Sequence, residues 1–182
     1  MTGRPSLAKL DPVEQVDRPA EVTLYTALDS PVGPLRLSAS GQGLRQIDFM
    51  AGRNQYLPDA SWREDRGFFA NIIGQLGAYF AGELQSFDLS LDPKGTSFQV
   101  TVWKQLREIP YGETISYGEL ARRIGNPKAS RAVGLANGSN PIPIVIPCHR
   151  VIGSSGKLVG YGAGLEVKEK LLALETRSWR LW

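Results

Sequence analysis

The sequence predicts an α/β N-terminal domain, an antiparallel sheet plus one helix, followed by a mainly helical C-terminal domain with a helix-turn-helix outline. Three observations carry this. Three short runs of strand-like alternation occupy residues 21–49, separated by turn residues. The apolar period then lengthens to that of a helix over residues 66–81. After a polar break at Asp92-Pro93-Lys94-Gly95 the chain carries one helical segment after another.

Residues 1–20 are polar, contain prolines and show no sustained period, and are read as a flexible leader. Residues 21–28 alternate, Asp29-Ser30-Pro31-Val32-Gly33-Pro34 breaks the run, and residues 35–39 resume it. A turn at Gly41-Gln42-Gly43 leads to a third strand over 44–49, which makes an antiparallel meander. Residues 51–65 read as loop, with Trp62 as an anchor. Phe69, Ile72, Ile73, Leu76, Tyr79 and Phe80 then share one helical face, which packs on the sheet. Gly82 ends this helix, and residues 87–91 read as a short strand. The N-terminal domain is placed at 21–91, a linker at 92–95, the C-terminal domain at 96–176 and a tail at 177–182.

In the second half, Thr96 or Ser97 caps a helix whose apolar face is Phe98, Val102, Leu106 and Ile109. Pro110-Tyr111-Gly112 stops it. Ser116 with Glu119 three residues later is a capping-box pattern that opens a helix through Ile124. Gly125-Asn126-Pro127 breaks the chain before a small-residue helix over 129–137. Helix, short glycine-containing turn, helix is the helix-turn-helix outline. A glycine-rich loop, Gly160-Tyr161-Gly162-Ala163-Gly164, precedes a last helix over 165–175, with Leu171, Leu172 and Leu174 inward.

The chain has one cysteine and one histidine, adjacent as Cys148 and His149. One cysteine excludes an internal disulfide, and the pair cannot make a structural zinc site, so neither metal nor cofactor is expected. No apolar run approaches the roughly 20 residues of a membrane span. The N-terminus lacks a signal-peptide pattern, and a soluble cytoplasmic protein is expected. A net charge of +3 and a pI near 9.1 permit a polyanionic partner without requiring one. Pro141, Pro143 and Pro147 fix φ and remove donors ahead of Cys148, which excludes an ordinary helix or central strand. The expectation is an extended, buried segment. A thiol beside an imidazole reads as an activated nucleophile, while a lone buried cysteine reads as core filler, and the dipeptide alone leaves both open.

The words Gly95-Thr96-Ser97-Phe98-Gln99, Val102-Trp103, Ile109-Pro110-Tyr111-Gly112-Glu113-Thr114, Ser116-Tyr117, Arg131-Ala132-Val133-Gly134 and Asn140-Pro141 through Val151 occur in that order. Over residues 95–175 this set closely resembles the O6-alkylguanine-DNA alkyltransferases, or methylated-DNA–protein-cysteine methyltransferases. The first half is similar more loosely, in its strand pattern and in Tyr79-Phe80-Ala81-Gly82. The resemblance implies a ribonuclease H-like N-terminal domain and a C-terminal domain of winged-helix character. It implies direct-reversal DNA repair, in which the alkyl group of O6-alkylguanine moves irreversibly and stoichiometrically to Cys148 after base flipping. O4-alkylthymine is left open as a second substrate. The alternative is a non-catalytic sensor of alkylated DNA, although such sensors lack the cysteine. A cysteine hydrolase would need a second activated base, which the sequence does not offer.

On that resemblance Cys148 is the nucleophile, His149 the base acting through a water, and Glu175 the residue that orients it. Asn140 is the hinge, and Tyr117 donates its phenol to guanine N3. The carbonyls of Cys148 and Val151 accept from the exocyclic amine, the Gly162 amide reaches O6, and Tyr161 walls the pocket beside Pro143. Arg131 fills the space of the flipped base. Ala132 and Gly134 let their helix lie close in the minor groove of double-stranded DNA, while Lys104, Arg122, Arg123 and Lys128 meet phosphates without sequence specificity. A monomer is implied, with cooperativity on DNA left open. Without the resemblance, Glu175 is a helix-terminal acid, Asn140 a turn residue, Tyr117 an inward ring and Arg131 a solvated charge. Some relatives carry a zinc site whose ligands this chain lacks. Gly162 and Gly160 stand where some relatives have serine and asparagine, which leaves tolerance of bulky alkyl groups open.

Overall fold

The computed structural model describes residues 22–51 and 58–176. The expected leader, Glu21, part of the expected loop and the tail lie outside the described residues. Strands β1 (Leu24–Leu28), β2 (Leu35–Ser40) and β3 (Gly43–Phe49) form the antiparallel meander. β2 is buried along its whole length, so its polar side chains need partners. Arg36 forks onto Asp48 through Nε at 3.1 Å and Nη2 at 2.7 Å, and Ser40 donates to Asp92 at 2.8 Å.

Two features depart from the expected strands. β4 (Arg63–Glu64) lies inside the expected loop and joins β1 in parallel, giving the order β3-β2-β1-β4. Trp62 anchors this edge, 6.3 Å from the Tyr25 ring and beneath the Arg36 guanidinium. The expected strand at 87–91 does not form. That run meets the sheet at one bridge, Leu91 against Leu44, with the Leu44 N–H donating to the Ser90 carbonyl at 2.9 Å. Alternation without a full-length partner makes no strand.

Helix α1 (Ala70–Phe80) begins later than expected because residues 66–69 form turns. Phe69, Ile72, Leu76 and Tyr79 are buried on its inner face, and Gly82 ends it at φ +74. Helix α2 (Ser97–Leu106) is capped by Thr96 in a full capping box with Gln99. Its inner face is Val102, Trp103 and Leu106; Phe98, expected inside, is exposed, and Trp103 fills the core instead. The Trp103 indole N–H donates to the Ala136 carbonyl at 2.8 Å.

Helix α3 (Tyr117–Arg123) is capped by Ser116, but Glu119 does not return the bond; its carboxylate takes Arg122 and Arg123. Helix α4 (Ser130–Gly138) packs on α2 and α3 across the break at Gly125, φ +75. β5 (Ile115–Ser116) and β6 (Val151–Ile152), two-residue strands without an alternation to read, pair in parallel and bring the chain after Cys148 beside the start of α3. Helix α5 (Leu165–Glu175) buries Lys168, Leu171 and Glu175, whereas Leu172 and Leu174 are half-buried. One apolar core joins the sheet, α1, α2 and the proline-rich segment. The Ile47 N–H on β3 donates to the Pro141 carbonyl at 2.9 Å, tying the meander to that segment.

Candidate active site

The proline-rich segment is folded back on itself rather than extended. The Ile146 N–H donates to the Ile142 carbonyl at 2.9 Å, and Cys148–Arg150 makes one 3-10 turn. Asn140 closes the turn from both sides. Its Oδ1 accepts from the Ile142 N–H at 3.1 Å, and its Nδ2 donates to the Ile146 carbonyl at 2.8 Å. Ile144 takes φ +75, where a β-branched residue costs on the order of 1–3 kcal/mol. Its burial in the core holds it there. The result is a fixed, 5 % exposed Cys148.

Behind the thiol lies a buried polar cluster centred on Glu175. Oε1 accepts from His149 Nε2 at 2.8 Å, the Tyr79 hydroxyl at 2.8 Å and Arg150 Nη2 at 2.9 Å. Oε2 accepts from Arg150 Nε at 2.8 Å and the Gly112 N–H at 3.2 Å. The remaining Arg150 nitrogen, Nη1, donates to the Ile109 carbonyl at 2.6 Å. Burial alone would raise the Glu175 pKa; the bonds from His149 and Arg150 outweigh it and hold the carboxyl at about 2. Burial lowers His149, more than its bond to Glu175 raises it, so the ring is neutral. A neutral imidazole donating from Nε2 carries its lone pair on Nδ1, and Nδ1 has no partner among the described residues.

Burial pushes the Cys148 thiol up to about 11, opposed by the Asn140 amide, the Lys168 charge and the Tyr161 hydroxyl. The resting sulfur is therefore protonated, and a base is needed at the moment of attack. Lys168 is fully buried, with Nζ donating to the Val151 carbonyl at 2.6 Å and the Val159 carbonyl at 2.9 Å. The Val151 carbonyl, expected to face the base, thus already carries one bond. The Cys148 carbonyl takes Asn137 Nδ2 at 3.4 Å. Burial raises Tyr117 and Tyr161, each next to Cys148, so both phenols stay protonated donors.

A cleft of about 180 Å3 opens over the thiol. Pro143 and residues 160–163, including Tyr161 and Gly162, form one side, and Ile47, Asp48 and Phe49 of β3 form another. On α4, Arg131 and Ala132 are exposed and Arg131 has no partner among the described residues, while Gly134 is half-buried with the Tyr117 ring 3.8 Å from where a Cβ would stand. Lys128 is exposed, Arg122 and Arg123 are shared with Glu119, and Lys104 lines a separate groove beside Pro93 and Ile146.

Four buried groups around the thiol and Glu175 carry no site role in the sequence reading: Tyr79, Asn137, Arg150 and Lys168. Lys168 and Glu175 lie seven residues apart on the α5 face that also holds Leu171, and two ionic residues in register with a core leucine are the signal that was there to read.

The family model for the DNA binding domain of 6-O-methylguanine DNA methyltransferase matches residues 97–177, and that for its ribonuclease-like domain matches residues 23–93. A methylated-DNA–protein-cysteine methyltransferase of Methanosarcina acetivorans is 57 % identical over 151 residues, 83 % of this chain and 97 % of the relative. The chain belongs to the methylated-DNA–protein-cysteine methyltransferase family. A Mycobacterium tuberculosis member of this methyltransferase family is 55 % identical over 152 residues, 83 % of this chain and 91 % of its own. The solved O6-methylguanine methyltransferase of M. tuberculosis superposes with a TM-score of 0.79 at 54 % identity, covering 86 % of this chain and 94 % of that one. The M. tuberculosis OGT solved in complex with DNA gives 0.78 at 53 %, covering 85 % and 93 %. The two-layer sheet-and-helix half and the helical half are thus those of the methyltransferase fold.

Proposed function

We propose that this protein repairs O6-alkylguanine in double-stranded DNA by a single, irreversible transfer of the alkyl group to Cys148. The observation that supports it most directly is the buried His149–Glu175 pair beside a protonated thiol, with Nδ1 of His149 uncommitted. Cys148 attacks the alkyl carbon, and the S–C bond forms as the C–O6 bond breaks. The thiol proton leaves by way of His149 Nδ1, through a water, and guanine regains a proton at N1, so the exchange balances. Glu175 holds the imidazole in the accepting tautomer and stabilises its charged form. Tyr117, kept protonated, donates to N3 of the departing base. Asn140 fixes the turn, the carbonyls of Cys148 and Val151 and the Gly162 amide hold the base edge, and Tyr161 with Pro143 walls it. A thioether offers no route back, so each molecule acts once.

The target atom is stacked inside the duplex, and reaching it means rotating the base out at a cost of a few kcal/mol. Arg131, exposed and without a partner among the described residues, fills the vacated space. Ala132 and Gly134 leave α4 slim enough for the minor groove, and Lys104, Arg122, Arg123 and Lys128 meet phosphates. In this reading residues 21–91 brace an acceptor domain at 96–176.

The test is intact mass before and after incubation with a duplex carrying one O6-methylguanine, against undamaged duplex and Cys148→Ala. A stoichiometric gain of one methylene mass on the Cys148 peptide is expected. Unchanged mass with tight lesion-specific binding would replace this reading with that of a sensor.

A further inference from the structure

One wall of the cleft over Cys148 does not come from the helical half at all. Asp48 and Phe49, near the end of β3, line it together with Pro143 and Tyr161. β3 is held rigidly there. Phe49 pairs with Leu35 on the buried strand β2, and Ile47 is bonded to the Pro141 carbonyl. The facing loop is tied less to the sheet: the Gly164 N–H donates to the Tyr161 carbonyl at 3.0 Å within the loop, and Lys168 holds the Val159 carbonyl at its start. A Cβ at Gly160, Gly162 or Gly164 would meet nothing within 4 Å, and Gly160 and Gly164 lie at φ +46 and +92. Tyr161 is the ring that anchors this loop, and its hydroxyl has no nitrogen or oxygen partner among the described residues. The ring rests edge-on against Phe49, with centroids 6.2 Å apart. A rigid phenylalanine therefore sets where a glycine-flanked tyrosine stands, and Tyr161 stands next to the thiol.

We infer that Phe49 of the N-terminal sheet is a specificity-determining residue that fixes the width of the alkyl pocket through Tyr161. The inference rests on the alkyl-transfer reading above. With Phe49 in place, the space over Cys148 fits a small alkyl group. Removing the ring lets Tyr161 retreat and admits a larger one. A pocket change of this size discriminates between substrates rather than slowing all of them together.

The experiment compares second-order rate constants of Cys148 alkylation on two duplexes, one bearing O6-methylguanine and one bearing O6-benzylguanine, for wild type and for Phe49→Ala, Phe49→Leu and Phe49→Trp. Phe49→Ala is expected to raise the benzyl-to-methyl ratio roughly tenfold, Phe49→Leu to shift it less in the same direction, and Phe49→Trp to lower it. Urea midpoints identify the variants that keep the fold, and Phe49→Leu and Phe49→Trp carry the test if the alanine variant unfolds. A ratio within about threefold of wild type in every folded variant, or two rates that fall in parallel, overturns the inference. Failure of the wild type to take a methyl group from DNA instead overturns the transfer reading itself, so the two failures are distinct.

Discussion

Glu175 takes hydrogen bonds from three segments, through Tyr79, Gly112 and the adjacent His149 and Arg150. Replacing it with glutamine keeps the shape but reverses what the imidazole is offered and strands the Arg150 charge. Glu175→Gln is expected to lower the single-turnover rate by roughly 100- to 10,000-fold, as loss of a triad carboxylate does. It is also expected to cost about 3–5 kcal/mol in urea unfolding, because a buried partner is left unpaired. Tyr79→Phe separates the two effects. It removes one donor of the set and is expected to cost about 1.5–3 kcal/mol while leaving the transfer rate within severalfold, since the Arg150 fork and the His149 bond persist. At this scale the sequence nominated Cys148, His149 and Glu175, and the fold brings His149 and Glu175 into contact. Arg150 escaped because its partners, Ile109, Tyr111 and Glu175, lie far along the chain and leave no periodic trace, and Tyr79 escaped because a buried phenol looks like any other core aromatic.

Among the elements, α5 shows most clearly where pattern reading stops. Its leucines pointed to an apolar face, yet the inner positions are Lys168, Leu171 and Glu175, because the helix serves a polar site rather than a plain core. Lys168→Met tests this. It leaves the carbonyls of Val151 and Val159 without their donor, each at about 1–3 kcal/mol, and is expected to lower the urea midpoint although methionine is the more apolar residue. The strands teach a related lesson. β1, β2 and β3 were legible because each alternates over five or more residues. β4, β5 and β6 were not, because two-residue pairings are decided by neighbours far along the chain. The segment before Cys148 read as extended from its prolines, but proline fixes only φ, and the bonds of Asn140 chose the turn. On the sheet, Gly43 sits at φ +148 with the Ser90 carbonyl where a Cβ would go. Gly43→Ala is expected to pry residues 90–92 off β3 and lower the melting temperature by several degrees or more.

For the molecule as a whole, acid is the exposed flank. His149 is held below its ordinary pKa, so below pH about 6.5 the unfolded chain takes up a proton that the native state refuses. Stability then falls as pH drops. Glu175 adds to the loss from its ordinary value of 4.5 down to about 2, where the native carboxylate is at last protonated. Urea midpoints are expected to be flat just above pH 6.5 and to decline in two stages below it, with Glu175→Gln lacking the second stage. The alkyl-transfer rate is expected to decline in acid as well, through the same lowered His149 pKa. A rate constant across that range would detach His149 from the chemistry.

The bonds to Glu175 also impose an order in time. During synthesis the sheet and α1 emerge first and can pair, whereas Glu175 comes 26 positions after His149. Until α5 has left the ribosome and docked, His149 has no carboxylate and Val151 no lysine. On the proposed alkyl transfer, the nascent chain therefore carries its thiol unarmed until α5 has docked.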